Sequence, residues 1–488
     1  MSHKSRLNSY TDHPNITTLI QRVAIGLALV ISIPGRQASA QSEDTKFLLY
    51  SDFLTNIRTA KASDFVAQTG AKTTQVSLES KTVSTSASKV KSEAAFEEMR
   101  KAILERYSGI ETVNHTFMVG NQLYDCIPVN QQPTLRKYHI TKVASVPPSL
   151  GPAAKQNQEL VGADAGTLLA PSAPEFDQYG NPTHCNVNMI PLLRPSLEMM
   201  TAFPTLKDFY TKHPSARQIA LSKQQPTNAV LTNASFQPPV SASGNDGLTK
   251  GAYMYQTVDN LGGSTLIAVE NPEVNTADGQ IMSTSQVWFE AGMGDTLQTV
   301  EAGWAVDPRR LGDAKSHFFI YATSDNNQTG CFNNLCNNFI QVNAFALLGQ
   351  ELNPSANPDI AAVLPLTYMQ VNGDWWLLSG PEPLGYFPKE SFNGGPLTRH
   401  AQQITLGTEG TGSTSWPQEG NACLPTDSDC SASFQANLQY IDPSGNMVPD
   451  KLSPIATASA CYDTDGPSTD EQIKGYFYVG GPGGPNCQ

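Results

Sequence analysis

The sequence predicts a mainly β protein in two parts: a large all-β domain of sandwich or barrel type, preceded by a smaller α+β module. Three observations carry this. The chain has 488 residues, too many for one ordinary domain. Charged residues make up only 15% of it, and the polar remainder is mostly Ser, Thr, Asn, Gln, Gly and Pro, a mix that suits turn-rich sheets better than helical bundles. From Ala252 onward, runs of β-branched and aromatic residues recur about every ten residues between Gly, Asn, Asp and Pro.

In chain order, the first forty residues read as an export signal. Lys4, Arg6 and Arg22 precede the apolar run Val23 to Ile33, too short to span a bilayer, and Ala38-Ser39-Ala40 follows as a cleavage site. Residues 41–222 form the expected N-terminal module, with a Ser/Thr-rich stretch, Thr73 to Ser88, expected to be loose. Phe96, Met99, Ile103, Leu104 and Tyr107 recur at spacings of three and four, which predicts a helix over 91–108. Short strands are expected at Thr116–Val119 and Tyr124–Val129, and irregular structure over 145–187. A Pro/Ser/Gly-rich linker, 223–248, leads to the β domain, 249–488. There, strands are expected around Ser264–Val269, Gln286–Phe289, Thr299–Trp304, His317–Thr323, Asn338–Val342, Asp374–Leu378, Phe434–Ile441 and Gly475–Gly480.

Net charge is −13, which argues against nucleic acid and anionic membrane as partners. Eight cysteines in an exported chain imply disulfides. Their spacings suggest Cys331 with Cys336, Cys423 with Cys430 and Cys461 with Cys487, leaving Cys126 for Cys185. Zinc would want paired C-x-x-C or nearby His ligands, so no metal and no cofactor are expected. The protein is expected to be secreted or periplasmic, and a monomer.

No Gly-x-Ser-x-Gly elbow is present, and residues 249–488 hold two histidines, His317 and His400. A serine triad is therefore not expected, and His317 reads as a solvated strand-edge residue. Carboxylates remain. Strand alternation puts Gln286, Trp288 and Glu290 on one face of their strand. On the next strand Thr299, Glu301 and Gly303 share a face, with Val300, Ala302 and Trp304 turned away if the strand is regular. A second isolated acid, Glu409, lies in Ile404-Thr405-Leu406-Gly407-Thr408-Glu409-Gly410. Two carboxylates a few ångströms apart share a proton, so one can act as general base on a water and the other as general acid.

The ordered set Ser285-Gln286-Val287-Trp288, Thr299-Val300-Glu301-Ala302-Gly303-Trp304, Leu311-Gly312-Asp313, Phe319-Ile320-Tyr321-Ala322-Thr323, Gly330-Cys331-Phe332-Asn333 with Cys336, Gly373-Asp374-Trp375-Trp376-Leu377 and Gly385-Tyr386-Phe387-Pro388 resembles the neprosin family of glutamic endopeptidases. Upstream, Tyr124-Asp125-Cys126-Ile127-Pro128-Val129 more faintly resembles the family's activation peptide. The resemblance implies a sandwich of two curved antiparallel sheets with two catalytic glutamates on the concave face. It implies cleavage after proline, sometimes glycine, in acid. Glu301 matches the first glutamate. Glu409 matches the second, in a segment where the family has Trp-Gly-Gly-Glu and this chain has Leu406-Gly407-Thr408-Glu409.

On this reading Gln286 or Tyr321 donates to the developing oxyanion. Trp288, Trp304 and Tyr321 offer flat surfaces to a proline ring, with sandwich core as the alternative for Trp304 and Tyr321. The N-terminal module then reads as a propeptide covering the cleft, and the substrates as polypeptides, proline-rich ones among them. Two other readings stay open from pattern alone: a glycoside hydrolase with paired carboxylates, and a non-catalytic carbohydrate- or protein-binding sandwich.

Overall fold

The computed structural model of the protein describes residues 49–65, 90–144, 174–212, 248–326, 328–354, 361–469 and 474–487. The expected signal segment, the run Thr73–Ser88 and nearly all of the expected linker lie outside the described residues. Among the described residues no helix is long and apolar enough to cross a membrane.

The N-terminal module holds helices α1 (Tyr50–Thr59) and α2 (Glu93–Tyr107), strands β1 (Thr116–Val119) and β2 (Gln122–Pro128), helix α3 (Pro133–Lys137), strand β3 (Met189–Leu193), and helices α4 (Leu197–Thr201) and α5 (Leu206–Tyr210). The Ser92 hydroxyl caps α2 by accepting from Ala95 N at 3.1 Å. The apolar face expected of α2 is real: Phe96, Met99, Ile103 and Tyr107 are buried. The antiparallel sheet β1-β2-β3 completes the module's core. Helix α1 is short, and of its ten residues only Phe53 and Ile57 are buried.

The C-terminal domain runs through β4 (Thr249–Asn260), β5 (Gly262–Ala268), β6 (Gln280–Ala291), β7 (Gln298–Val306), helix α6 (Pro308–Leu311), β8 (His317–Thr323), β9 (Gly330–Phe332) and β10 (Ile340–Gln341). It continues with β11 (Val363–Val371), β12 (Asp374–Ser379), β13 (Glu382–Phe387), β14 (Ala401–Gly412), β15 (Ser433–Ile441), β16 (Met447–Pro449), β17 (Ser453–Ala456), β18 (Asp463–Ser468) and β19 (Tyr476–Gly480). These strands pair antiparallel into two sheets. The seven-stranded sheet has the order β17-β4-β14-β6-β7-β8-β9. The nine-stranded sheet runs β10-β13-β12-β11-β5-β15-β19-β18, with β16 on the far end of β15.

The fold is thus the β-sandwich the sequence predicts. Val287, Phe289, Val300, Trp304, Ile320 and Leu406 of the first sheet pack against Ile267, Leu364, Leu366, Trp375, Leu377 and Val479 of the second. Strand β11 escaped the sequence reading because Pro365 argues against an interior strand. Pro365 sits where β11 pairs only with β5, one residue before the β12 ladder begins at Leu366. All four disulfides join the cysteines that the spacings suggested.

The module lies against the C-terminal domain through many neutral hydrogen bonds. Gln132 Nε2 donates to Gln341 O at 2.9 Å, and Gln341 N returns a bond to Gln132 Oε1 at 2.8 Å. Thr134 Oγ1 donates to Phe339 O at 2.8 Å, and Gln122 Nε2 to Leu311 O at 2.7 Å. Leu335 and Leu347 of the C-terminal domain belong to the module's own apolar cluster.

Candidate active site

The site lies on one face of the seven-stranded sheet, the face turned away from the sandwich core. Strand period places it there. On β6, Val287 and Phe289 enter the core, so Gln286 and Trp288 face the other way. On β7, Val300, Ala302 and Trp304 enter the core and leave Thr299, Glu301 and Gly303 opposite. On β14, Ile404 and Leu406 enter the core, which turns Gly407 and Glu409 outward. Glu301 and Glu409 therefore do not look at each other across the sandwich. They stand on one sheet, two strands apart, with β6 between them.

Register completes the geometry. Glu301 lies opposite Trp288 on one side and Tyr321 on the other. Gln286 lies opposite both Gly303 and Gly407. Both glycines are required: a Cβ on Gly303 would sit 2.0 Å from Ser285 O, and one on Gly407, at φ +147°, would sit 2.3 Å from Ala252 O. Gln286 thus occupies the diagonal between the acids, and its Nε2 donates to Glu409 Oε2 at 3.0 Å. Thr299 Oγ1 donates to Glu301 Oε1 at 2.8 Å. The Trp288 ring stands edge-on to Tyr253, 5.4 Å between centroids.

A residue absent from the sequence reading sits at the centre. Lys212, two residues beyond α5 of the N-terminal module, directs its ammonium between the two acids. It donates to Glu301 Oε2 and to Gln286 Oε1, the latter at 2.9 Å, and lies 2.8 Å from Glu409 Oε2. Its Nζ also lies 5.9 Å from the ring centroids of Trp288, Phe319 and Tyr321. The lysine is 3% exposed, Glu301 5% and Glu409 1%. Burial alone would lower the lysine pKa, but Glu301 and Glu409 outweigh it and hold it above its ordinary value. No local pattern marks this lysine, because its role comes from docking rather than from periodicity.

Two other buried acids lie nearby. Thr408, where the resemblance leads one to expect a second glycine, faces the core side of β14 and donates its hydroxyl to Glu419 Oε2. Burial pushes the Glu419 carboxyl well above the usual carboxylate range. Both departures from Trp-Gly-Gly-Glu, Leu406 and Thr408, thus point away from the site face. Glu290, which alternation put on the site face, accepts from Gln403 Nε2 further along the strands.

Two expectations are corrected. Trp304 is not a wall of the site. It is fully buried between the sheets, its Nε1 donating to Ala268 O at 2.8 Å, because the strand is regular and odd and even positions part company. His317 is not a solvated edge residue. It is buried, with Nε2 2.8 Å from Asp313 Oδ1 and Nδ1 2.8 Å from Gly349 O.

Two buried carboxylates on one sheet face, with an amide between them, are an arrangement suited to activating a water. One stretch of the chain, residues 279–482, matches the Neprosin family. It begins just before β6, ends just after β19, and contains Gln286, Glu301, Tyr321 and Glu409. Among solved structures, the chain is similar to a crystal structure of Scytalido-glutamic peptidase with a peptide-based transition-state analogue. The two are 12% identical over 48% of this chain and 97% of that one, with a TM-score of 0.26, a likeness too slight to bear on the fold.

Proposed function

We propose that the protein is an exported glutamic endopeptidase, made as a latent precursor, that cuts polypeptides after proline in acid through Glu301 and Glu409. The observation that carries this reading is one ammonium, Lys212, held by both carboxylates at once. Acids close enough to share a cation are close enough to share a proton once the cation leaves. One glutamate then takes a proton from a water as its oxygen attacks the scissile carbonyl carbon. The other, protonated, hydrogen-bonds the carbonyl oxygen and delivers its proton to the amide nitrogen as the C–N bond breaks. The Gln286 amide, between the two, donates to the developing oxyanion. Trp288 and Tyr321 flank Glu301 and give a proline ring flat surfaces to lie on. The module that carries Lys212 serves as the propeptide, and residues 223–248 as the linker where it is severed.

Digestion of a denatured protein mixture at about pH 3 to 5, read by mass spectrometry, tests this. Termini enriched after proline are expected. Cuts without that enrichment would remove the specificity, and an undigested mixture beside a hydrolysed oligosaccharide panel would replace the peptidase with a glycosidase. Trp304→Phe leaves Ala268 O without its donor and is expected to cost about 1–3 kcal/mol of stability, with kcat/KM unchanged. A large loss of kcat/KM would return Trp304 to the substrate wall.

Acid operation has support away from the dyad. Burial raises the Glu270 carboxyl to about 7 and the Asp450 carboxyl to about 8. A carboxyl with a raised folded-state pKa binds its proton more tightly in the folded chain. Its contribution is fully present below the ordinary carboxylate pKa near ~4 and is lost as pH rises through about 7 and about 8. The melting temperature is expected to fall between about pH 5 and pH 9, and Glu270→Gln with Asp450→Asn to flatten that fall. An unchanged slope in the double variant would assign the effect elsewhere.

A further inference from the structure

We propose that Arg310 is a substrate-binding residue: its guanidinium receives main-chain carbonyls of the bound polypeptide, as it receives those of the N-terminal module in the latent chain. The proposal rests on the peptidase reading above and adds a second anchoring point to that site.

Arg310 lies in the short helix α6. The Asp307 carboxylate caps that helix, accepting from Arg309 N at 3.2 Å and Arg310 N at 3.3 Å, and takes Nη1 of Arg310 at 2.6 Å. The guanidinium is therefore held in place from within its own domain. It rests 4.5 Å from the ring centroid of Phe332 and is 1% exposed. Phe332 lies opposite Tyr321 in register, and Tyr321 opposite Glu301. Arg310 thus stands over the same sheet face as the glutamates, two strands from Glu301.

Its remaining donors leave the domain. Nε donates to Phe209 O at 3.3 Å and Nη2 to Thr211 O at 2.8 Å. Thr211 is extended, with φ −85° and ψ 141°, and the next residue is Lys212, whose ammonium lies between the acids. One stretch of foreign backbone is thus gripped by its carbonyls at Arg310 and enters the glutamate pair three residues after Phe209. A polypeptide substrate offers the same carbonyls. The planar fork meets carbonyl oxygens without reading side chains, so it adds affinity for any chain long enough to reach it. When the module leaves, Nε and Nη2 give up those two carbonyls, and a bound peptide restores them.

The test uses the full chain, held in acid until peptide hydrolysis is steady. The probes are a tetrapeptide and two decapeptides that share its cleaved bond, one extended on each side. Arg310→Gln is expected to raise KM about tenfold on the decapeptide that reaches Arg310, with kcat held, and to leave a smaller effect on the other two. Arg310→Lys, which keeps the charge and one donor, is expected to recover part of the loss and serves if the glutamine variant does not fold. Equal KM changes on all three peptides would mark a merely structural role and overturn the proposal, as would no change on any. A wild type that cuts none of them would overturn the peptidase reading and this inference together, whereas a cutting wild type beside an indifferent Arg310→Gln overturns this inference alone.

Discussion

Glu409→Gln, and separately Glu301→Gln, each yield a folded protein whose peptide turnover falls by about a thousandfold or more. Neither change alters side-chain volume, and each leaves the amide able to hydrogen-bond Gln286 or Thr299. What disappears is a group that can lose a proton to one reactant and return it to another. Because base and acid act as a unit, the double variant is expected to lose little beyond either single one. Steady-state assays at about pH 4, with melting curves to show the fold, measure this. Full activity in either single variant would end the two-glutamate assignment.

Lys212→Met has the second large effect, of opposite sign. The methionine fills similar volume but leaves two buried carboxylates with no cation between them. Removing one partner of a buried ion pair costs about 3–5 kcal/mol, which weakens the module's hold by roughly a hundredfold to a few thousandfold. Once the linker is cut, the variant module is expected to separate on gel filtration at neutral pH and to release activity there, while the wild-type module stays bound. The wild-type ammonium keeps its proton through the acid and neutral range, since its pKa lies above the ordinary lysine value. A variant that stays associated and inactive like the wild type would show that the lysine is incidental to latency.

The strands that hold Gln286 and Glu301 were legible because period two is a local property. Val287 and Phe289 fix the side of Gln286, and Val300 and Ala302 fix that of Glu301, with no knowledge of the rest of the chain; the strand of Glu409 was not read as one. The same rule turned Trp304 away from the site, and its assignment to the wall set an attractive aromatic above the alternation. What stayed hidden depends on distance along the chain. Lys212 is 89 positions from Glu301 and Arg310 is 101 from Phe209. No local pattern states that a module will fold back and dock there. Strand β11 was hidden for another reason, since Pro365 breaks a rule that holds in a two-sided ladder and lapses where only β5 is paired.

The cluster around Leu335 and Leu347 is shared between the module and the domain. These two leucines lie in the core of the N-terminal module although they belong to the other domain. On the proposed maturation, departure of the module would turn interior into exterior, and the liberated domain would keep an apolar scar where its partner sat. Unfolded once, that domain would have to rebuild the segment around Leu335 without the surface it was moulded against. The working lifetime of a domain so liberated would then be set by how slowly it unfolds, not by an equilibrium it can re-enter.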